Sequence, residues 1–255
     1  MRIKGKTAFV TGGASGLGAA TVRRLHGLGA NIVVADINKD TGEAICKELG
    51  SRAIFVQMDI TNPDQVKAGF DRALKEFKNI HILVHCAGTG WVGKIAGREG
   101  PHDLNMFIKI ININLIGTFD VCRWAAFYMQ SNEPNADGER GVIINTASIA
   151  AFDPQIGQIA YCASKAGVVG MTLAIARDMS KPGIRCCTIV PGAFDTPLMK
   201  MMPKELNDAL AAQIPFPKRF GNPDEYAMLA QQIVENTFLN GETIRLDGAI
   251  RMPPK

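Results

Sequence analysis

The chain has no run of about 18 or more consecutive apolar residues, the length a helix needs to cross a bilayer, so no membrane span is expected. Nor does it carry a strong charge of one sign. Its 28 basic and 24 acidic residues leave a net charge of +4, and basic clusters such as Arg23-Arg24 stand isolated. No stripe suited to a phosphate backbone results, and no direct contact with nucleic acid is expected. Cys46, Cys86, Cys122, Cys162, Cys186 and Cys187 show no CxxC spacing and lie in or beside apolar stretches. That points to reduced thiols rather than to a disulfide frame or a metal site. The start, Met1 to Lys6, leads straight into an apolar run with neither a secretory h-region nor the length of a transit peptide. A cytoplasmic location is expected, with the mitochondrial matrix as the alternative. Internal repeats, low-complexity tracts and breaks in composition are absent too, so residues 1–255 are expected to form one domain.

What is present is an alternation of short apolar runs with stretches at helical spacing. The periodicity predicts seven strands, at 7–10, 31–35, 53–58, 80–85, 142–147, 185–190 and 243–247. Between them it predicts helices at about 19–28, 41–49, 63–77, 103–129, 161–176, 204–213 and 223–235. The order implies an α/β protein of the Rossmann type, a doubly wound, mainly parallel seven-stranded sheet with right-handed crossovers. Residues 91–102 are glycine-rich and read as an irregular loop. Residues 198–203, Leu-Met-Lys-Met-Met-Pro, read either as a mobile lid over an apolar substrate or as a plain surface helix.

The first strand ends in Thr11-Gly-Gly-Ala-Ser-Gly-Leu-Gly18 and a helix follows. Glycines let a backbone approach a phosphate, and the unpaired amides at a helix start favour an anion, so a pyrophosphate site is one reading of this turn. An ordinary glycine-rich turn is the other. Asp36 closes the next strand eighteen residues past Gly18, where a carboxylate can accept from both ribose hydroxyls and repel a 2′-phosphate. This selects NAD over NADP. Asp59 follows the third strand and suits either an adenine amino group or a helix cap, and Cys86-Ala-Gly88 makes a second glycine turn. His81 and His85 alternate on a strand, but no carboxylate or cysteine completes a ligand set. They read as core histidines, and no metal is assigned.

Tyr161 and Lys165 are four residues apart in a helical stretch, which puts both side chains on one face. An ammonium beside a phenol pulls the phenol's pKa down from about 10, so the pair could serve as an acid/base. On its own this spacing also arises by chance. Ser148 ends the strand thirteen residues upstream, where it could share a pocket with Tyr161. Asn114 lies inside a predicted helix, a place where asparagine is disfavoured unless it distorts the turn, holds a water or is hydrogen-bonded.

Taken together, Thr11-Gly-xxx-Gly16-x-Gly18, Asp59, Ala87-Gly88, Asn114, Ser148, Tyr161-xxx-Lys165 and Pro191-Gly192 resemble the motif set of the short-chain dehydrogenases/reductases along the whole chain. The resemblance implies that Tyr161 is the general acid/base for an alcohol/carbonyl pair and that Ser148 orients the substrate oxygen. It implies that Lys165 lowers the tyrosine pKa and holds the nicotinamide ribose, and that Asn114 positions a water. Gly12, Ser15, Gly16, Leu17 and Gly18 would surround the pyrophosphate. Asp36, Asp59, Ile60, Cys86, Ala87, Gly88, Pro191, Gly192 and Thr196 would complete the NAD site, and Gln158 would join Ser148 and Tyr161 on the substrate.

Asn132-Glu-Pro, Gly141 to Ser148 and Phe238 to Met252 are further similar to the type 2 3-hydroxyacyl-CoA dehydrogenases, or type 10 17β-hydroxysteroid dehydrogenases. That group implies oxidation of short 3-hydroxyacyl-CoA thioesters with NAD by a homotetramer. His85 stands where the family usually has asparagine, and the 91–102 loop lacks the lysine pair of the animal members; Lys94, Arg98 and Lys200 are the nearby cations. The alternatives within the class are a hydroxysteroid substrate or a 3-oxoacyl-carrier protein. The alternative outside it is an NAD-binding scaffold in an RNA-processing complex.

Overall fold

A computed structural model of the chain describes residues 1–98, 100–200 and 204–254, without the side chains of Leu198, Lys200 and Lys204. The elements run β1 (Thr7–Thr11), α1 (Gly16–Gly27), β2 (Asn31–Asp36), α2 (Lys39–Leu49), β3 (Ala53–Gln57), α3 (Pro63–Phe77) and β4 (Ile82–His85). A two-stranded hairpin, β5 (Ala96–Gly97) and β6 (Gly100–Pro101), interrupts the segment expected to be irregular. Then come α4 (Leu104–Ile111), a π turn (Asn112–Ile116), α5 (Gly117–Met129), β7 (Gly141–Thr146) and a 3-10 turn (Ile149–Ala151). The chain finishes with α6 (Ile159–Asp178), β8 (Ile184–Pro191), α7 (Pro197–Lys200), α8 (Lys204–Ala212), α9 (Pro223–Glu235) and β9 (Thr243–Leu246).

Seven strands form one parallel sheet in the order β3-β2-β1-β4-β7-β8-β9, the doubly wound architecture that the alternation predicts. Strands covered on both faces need apolar residues at every position. In β1, Ala8 and Val10 face the layer that holds α1 and α9, whereas Phe9 faces the layer of α3 and α5 and stacks on Phe70 at 4.3 Å between centroids. Three helices start where asparagine accepts from their free amides: Asn38 for α2, Asn62 for α3 and Asn222, in a capping box, for α9.

The winding reverses between β1 and β4, and ligands of such sheets bind outside the strands' carboxyl ends at that point. Two helical stretches, Leu104–Met129 and Ile159–Asp178, are long and apolar enough to cross a bilayer, yet each lays one side on the protein, α5 against β7 and α6 against β8. Their other side leaves Ile116, Phe119, Phe127 and Leu173 about half exposed, at 53%, 52%, 59% and 46%.

Candidate active site

A cleft of about 740 Å³ opens at the carboxyl edge of the sheet, across the reversal point. Gly12, Ser15, Gly16, Leu17 and Gly18 line one end, Asp36, Asp59 and Ile60 the side, Cys86, Ala87 and Gly88 the floor, and Ser148, Tyr161, Lys165, Pro191, Gly192 and Thr196 the other end. Apart from Tyr161 and Lys165, which α6 supplies, these residues follow six different strand ends, brought together by the parallel topology.

The glycine turn is fitted to a backbone-lined anion site. Gly12 has φ +61°, and a Cβ there would lie 2.8 Å from the Ala87 nitrogen. A Cβ on Gly18 would lie 2.1 Å from the Gly12 carbonyl oxygen, so that glycine is required for α1 to pack on the turn it follows. Unlike α2, α3 and α9, α1 has no side-chain cap and no acidic residue in its first turn. Its first amides and the positive end of its dipole therefore remain available to an anion in the cleft. Asp36 is held in place by the Ala14 amide at 3.0 Å and the Asn38 amide at 3.0 Å. Asp59 accepts from the amide and hydroxyl of Thr61, both at 2.8 Å, and the cap of α3 is Asn62 instead. A dinucleotide fits this end of the cleft: free amides for its phosphates, a fixed carboxylate for a ribose.

At the other end Ser148 and Tyr161 meet. The Ser148 oxygen accepts from the Ala150 amide at 3.2 Å, and Ser148 lies close enough to the Tyr161 phenol to lower its pKa. The Lys165 ammonium donates to the Thr146 carbonyl at 2.8 Å and lies 5.9 Å from the centre of the Tyr161 ring. Burial lowers Lys165 to about 8. Tyr161 departs from the expected direction: burial raises its pKa, the neighbouring Ser148 opposes this, and the ammonium does not reverse it. The phenol therefore stays protonated at neutral pH.

Asn114 lies behind the cleft wall, fully buried within the π turn. Its side chain accepts from the Thr89 amide at 2.8 Å, donates to the Thr89 carbonyl at 2.8 Å and donates to the Ser164 hydroxyl at 3.1 Å. It thus clamps the loop after β4 to α6, between Tyr161 and Lys165. The irregular turn that its propensity allows is present. Gln158 stands apart: it accepts from the Gln155 amide and lines a second, mostly apolar cleft with Lys94, Ile95 and Cys162. Met199 of α7 lines the main cleft, so the methionine segment begins as a short helix beside it, while residues 201–203 lie outside the described residues.

The sequence reading missed Thr146 and Tyr226. Thr146 anchors Lys165 with its carbonyl, donates its hydroxyl to the His85 carbonyl at 2.6 Å, and therefore accepts from the Tyr226 hydroxyl at 2.7 Å. Thr146 ends a strand two residues before Ser148, a signal that was available; Tyr226 arrives from α9, eighty residues away, with none. His81 and His85 have no third donor, for among the described residues no three His, Cys, Asp or Glu side chains gather as a metal site.

Comparison with known proteins follows the same line. The profile of the short chain dehydrogenase family matches residues 6–207. The 3-hydroxyacyl-CoA dehydrogenase type-2 of Drosophila melanogaster is 52% identical over 99% of this chain and 100% of its own length. That of Homo sapiens is 50% identical, over 99% and 97% respectively. The crystal structure of 3-hydroxyacyl-CoA dehydrogenase type-2 from Mycobacterium avium superposes with a TM-score of 0.94 at 45% identity, covering all of both chains.

Proposed function

Since the chain belongs to the short chain dehydrogenase family and is an oxidoreductase that uses a nicotinamide cofactor, we propose that it interconverts short 3-hydroxyacyl-CoA and 3-oxoacyl-CoA thioesters with NAD. The observation that carries this is the meeting of Ser148 and Tyr161 beside Lys165 in one cleft with a fixed Asp36. The acyl-CoA assignment draws on the names of the relatives at 50–52% identity.

When bound, the nicotinamide accepts hydride in oxidation and supplies it in reduction. Ser148 donates its hydroxyl hydrogen toward the substrate oxygen and orients it. Tyr161, kept protonated by burial, delivers its proton to that oxygen during reduction and takes it back during oxidation. Lys165, fixed on Thr146, supplies positive charge beside the phenol and a donor for the cofactor ribose. Asp36 takes the ribose hydroxyls at the other end and disfavours a 2′-phosphate. The apolar outer faces of α4 to α6 support assembly as a homotetramer.

The test is NADH oxidation by the purified protein with acetoacetyl-CoA. Activity is expected, and Tyr161→Phe should lower kcat by at least about a hundredfold with NADH affinity nearly unchanged. A Tyr161→Phe protein as active as the wild type would remove Tyr161 from its role. Parallel assays with longer 3-oxoacyl-CoA esters, a steroid ketone and NADPH separate this substrate class from its alternatives.

A further inference from the structure

His85 is fully buried at the end of β4, and the function above makes no use of it. Its hydrogen bonds leave one arrangement of protons. The Thr118 hydroxyl donates to the Asn114 carbonyl at 2.6 Å, so its hydrogen is spent and its oxygen must accept from the His85 Nε2–H at 2.9 Å. The neutral ring then accepts at Nδ1, and the Thr11 hydroxyl donates to it at 2.8 Å. Thr11 in turn accepts from the Ala87 amide in the cleft floor at 3.3 Å. The chain Thr11 to His85 to Thr118 to Asn114 is directional and leaves no member unpaired.

A threonine hydroxyl that bonds back to the carbonyl four residues earlier competes with the helix ladder and bends it. Here that bond ends on Asn114, inside the π turn, whose side chain clamps Thr89 and Ser164. By its own carbonyl His85 also accepts from Thr146, whose carbonyl carries Lys165. One residue therefore stands between the anchors of Asn114 and of Lys165. We propose that His85 is a positioning residue for the reaction, holding Thr118 so that the Asn114 turn and the Lys165 anchor keep one spacing. This rests on the dehydrogenase reading for its effect on turnover but not for its effect on geometry.

Four variants test it: His85→Asn, which keeps one donor and one acceptor; His85→Phe, which keeps the ring and loses both; Thr118→Val; and the His85→Phe/Thr118→Val pair. We expect His85→Phe and Thr118→Val each to lower kcat with acetoacetyl-CoA by about tenfold, with KM for NADH nearly constant. The pair should be no worse than the poorer single variant, as members of one chain are non-additive, and His85→Asn should keep most of the activity. Two readouts need no turnover. Imidazole nitrogen resonances of the wild type should report the Nε2–H tautomer alone, and exchange of the Thr89 amide, bonded to Asn114, should speed by about tenfold in Thr118→Val. An Nδ1–H tautomer, or folded variants with wild-type kcat and unchanged Thr89 exchange, would overturn the proposal. If His85→Phe does not fold, Thr118→Val and His85→Asn decide it. A wild type inactive on acetoacetyl-CoA refutes the substrate reading, and the tautomer and Thr89 exchange still settle the role of His85.

Discussion

A buried histidine is a liability in acid, and this chain has two. Burial lowers His85 to about 3 and His81 to about 4, with Lys165 and Lys6 adding repulsion respectively. In the unfolded chain both bind a proton near pH ~6.5. The unfolded state thus holds more protons below that pH, so stability is complete above it and is lost as pH falls toward the folded values. Each such group removes about 1.4 kcal/mol per pH unit in that window. Denaturant unfolding should therefore show a loss of roughly 2 kcal/mol from His85 alone between pH ~6.5 and ~5, and His85→Asn should flatten the slope by that amount. An unaltered slope would contradict the burial argument. A second residue carries cofactor choice: Asp36→Ala should narrow the preference of kcat/KM for NADH over NADPH by about tenfold or more, and unchanged selectivity would dismiss Asp36. The place of Asp36 in the cleft was legible in the sequence because it closes the strand that follows the glycine turn and its helix. The direction of the Tyr161 shift was not, because spacing gives the neighbour of a phenol but not the depth at which it is buried.

Elements were legible to the extent that their signals are local. Asn62-Pro63 and Asn222-Pro223 fix the starts of α3 and α9 at the predicted residues, since an asparagine cap followed by proline satisfies and presets the first turn. A distorted turn at Asn114 was only one of several options and the β5–β6 hairpin was missed, because both depend on contacts across the fold, Asn114 with Thr89 and Gly93 with the Gly157 carbonyl. The contrast between capped and uncapped helices gives a paired prediction. Asn222→Ala should cost about 1 kcal/mol in stability and leave the NADH Kd alone. Ser15→Asp, which places a carboxylate at the bare start of α1, should stabilise the cofactor-free protein by about 0.5–1 kcal/mol and raise the NADH Kd by about tenfold or more. Calorimetry and fluorescence titration on the two variants check both halves, and a Ser15→Asp protein with unchanged Kd would show that the phosphates do not sit on α1.

At the scale of the whole molecule, fold class and the seven strands of the main sheet were readable from alternation alone, whereas the outer faces were not. Periodicity marks which side of a helix is apolar, and α4 to α6 are apolar on more sides than one sheet can cover. In the proposed homotetramer the exposed Ile116, Phe119, Phe127 and Leu173 would lie against a second copy, with about 800 Å² buried per subunit in a stable contact. Sedimentation should give a tetramer at micromolar concentration, and Phe119→Asp should shift it toward smaller species. A wild-type monomer would leave these faces to another surface.

The crowding at Gly18 reaches down to the gene. Every first- or second-base change in a glycine codon that yields an amino acid brings in a side chain, and here even a methyl carbon would lie 2.1 Å from the Gly12 oxygen. Codon 18 can therefore drift only in its third base, while codon 170, whose glycine has nothing within 4 Å of where a Cβ would stand, is open to alanine at once.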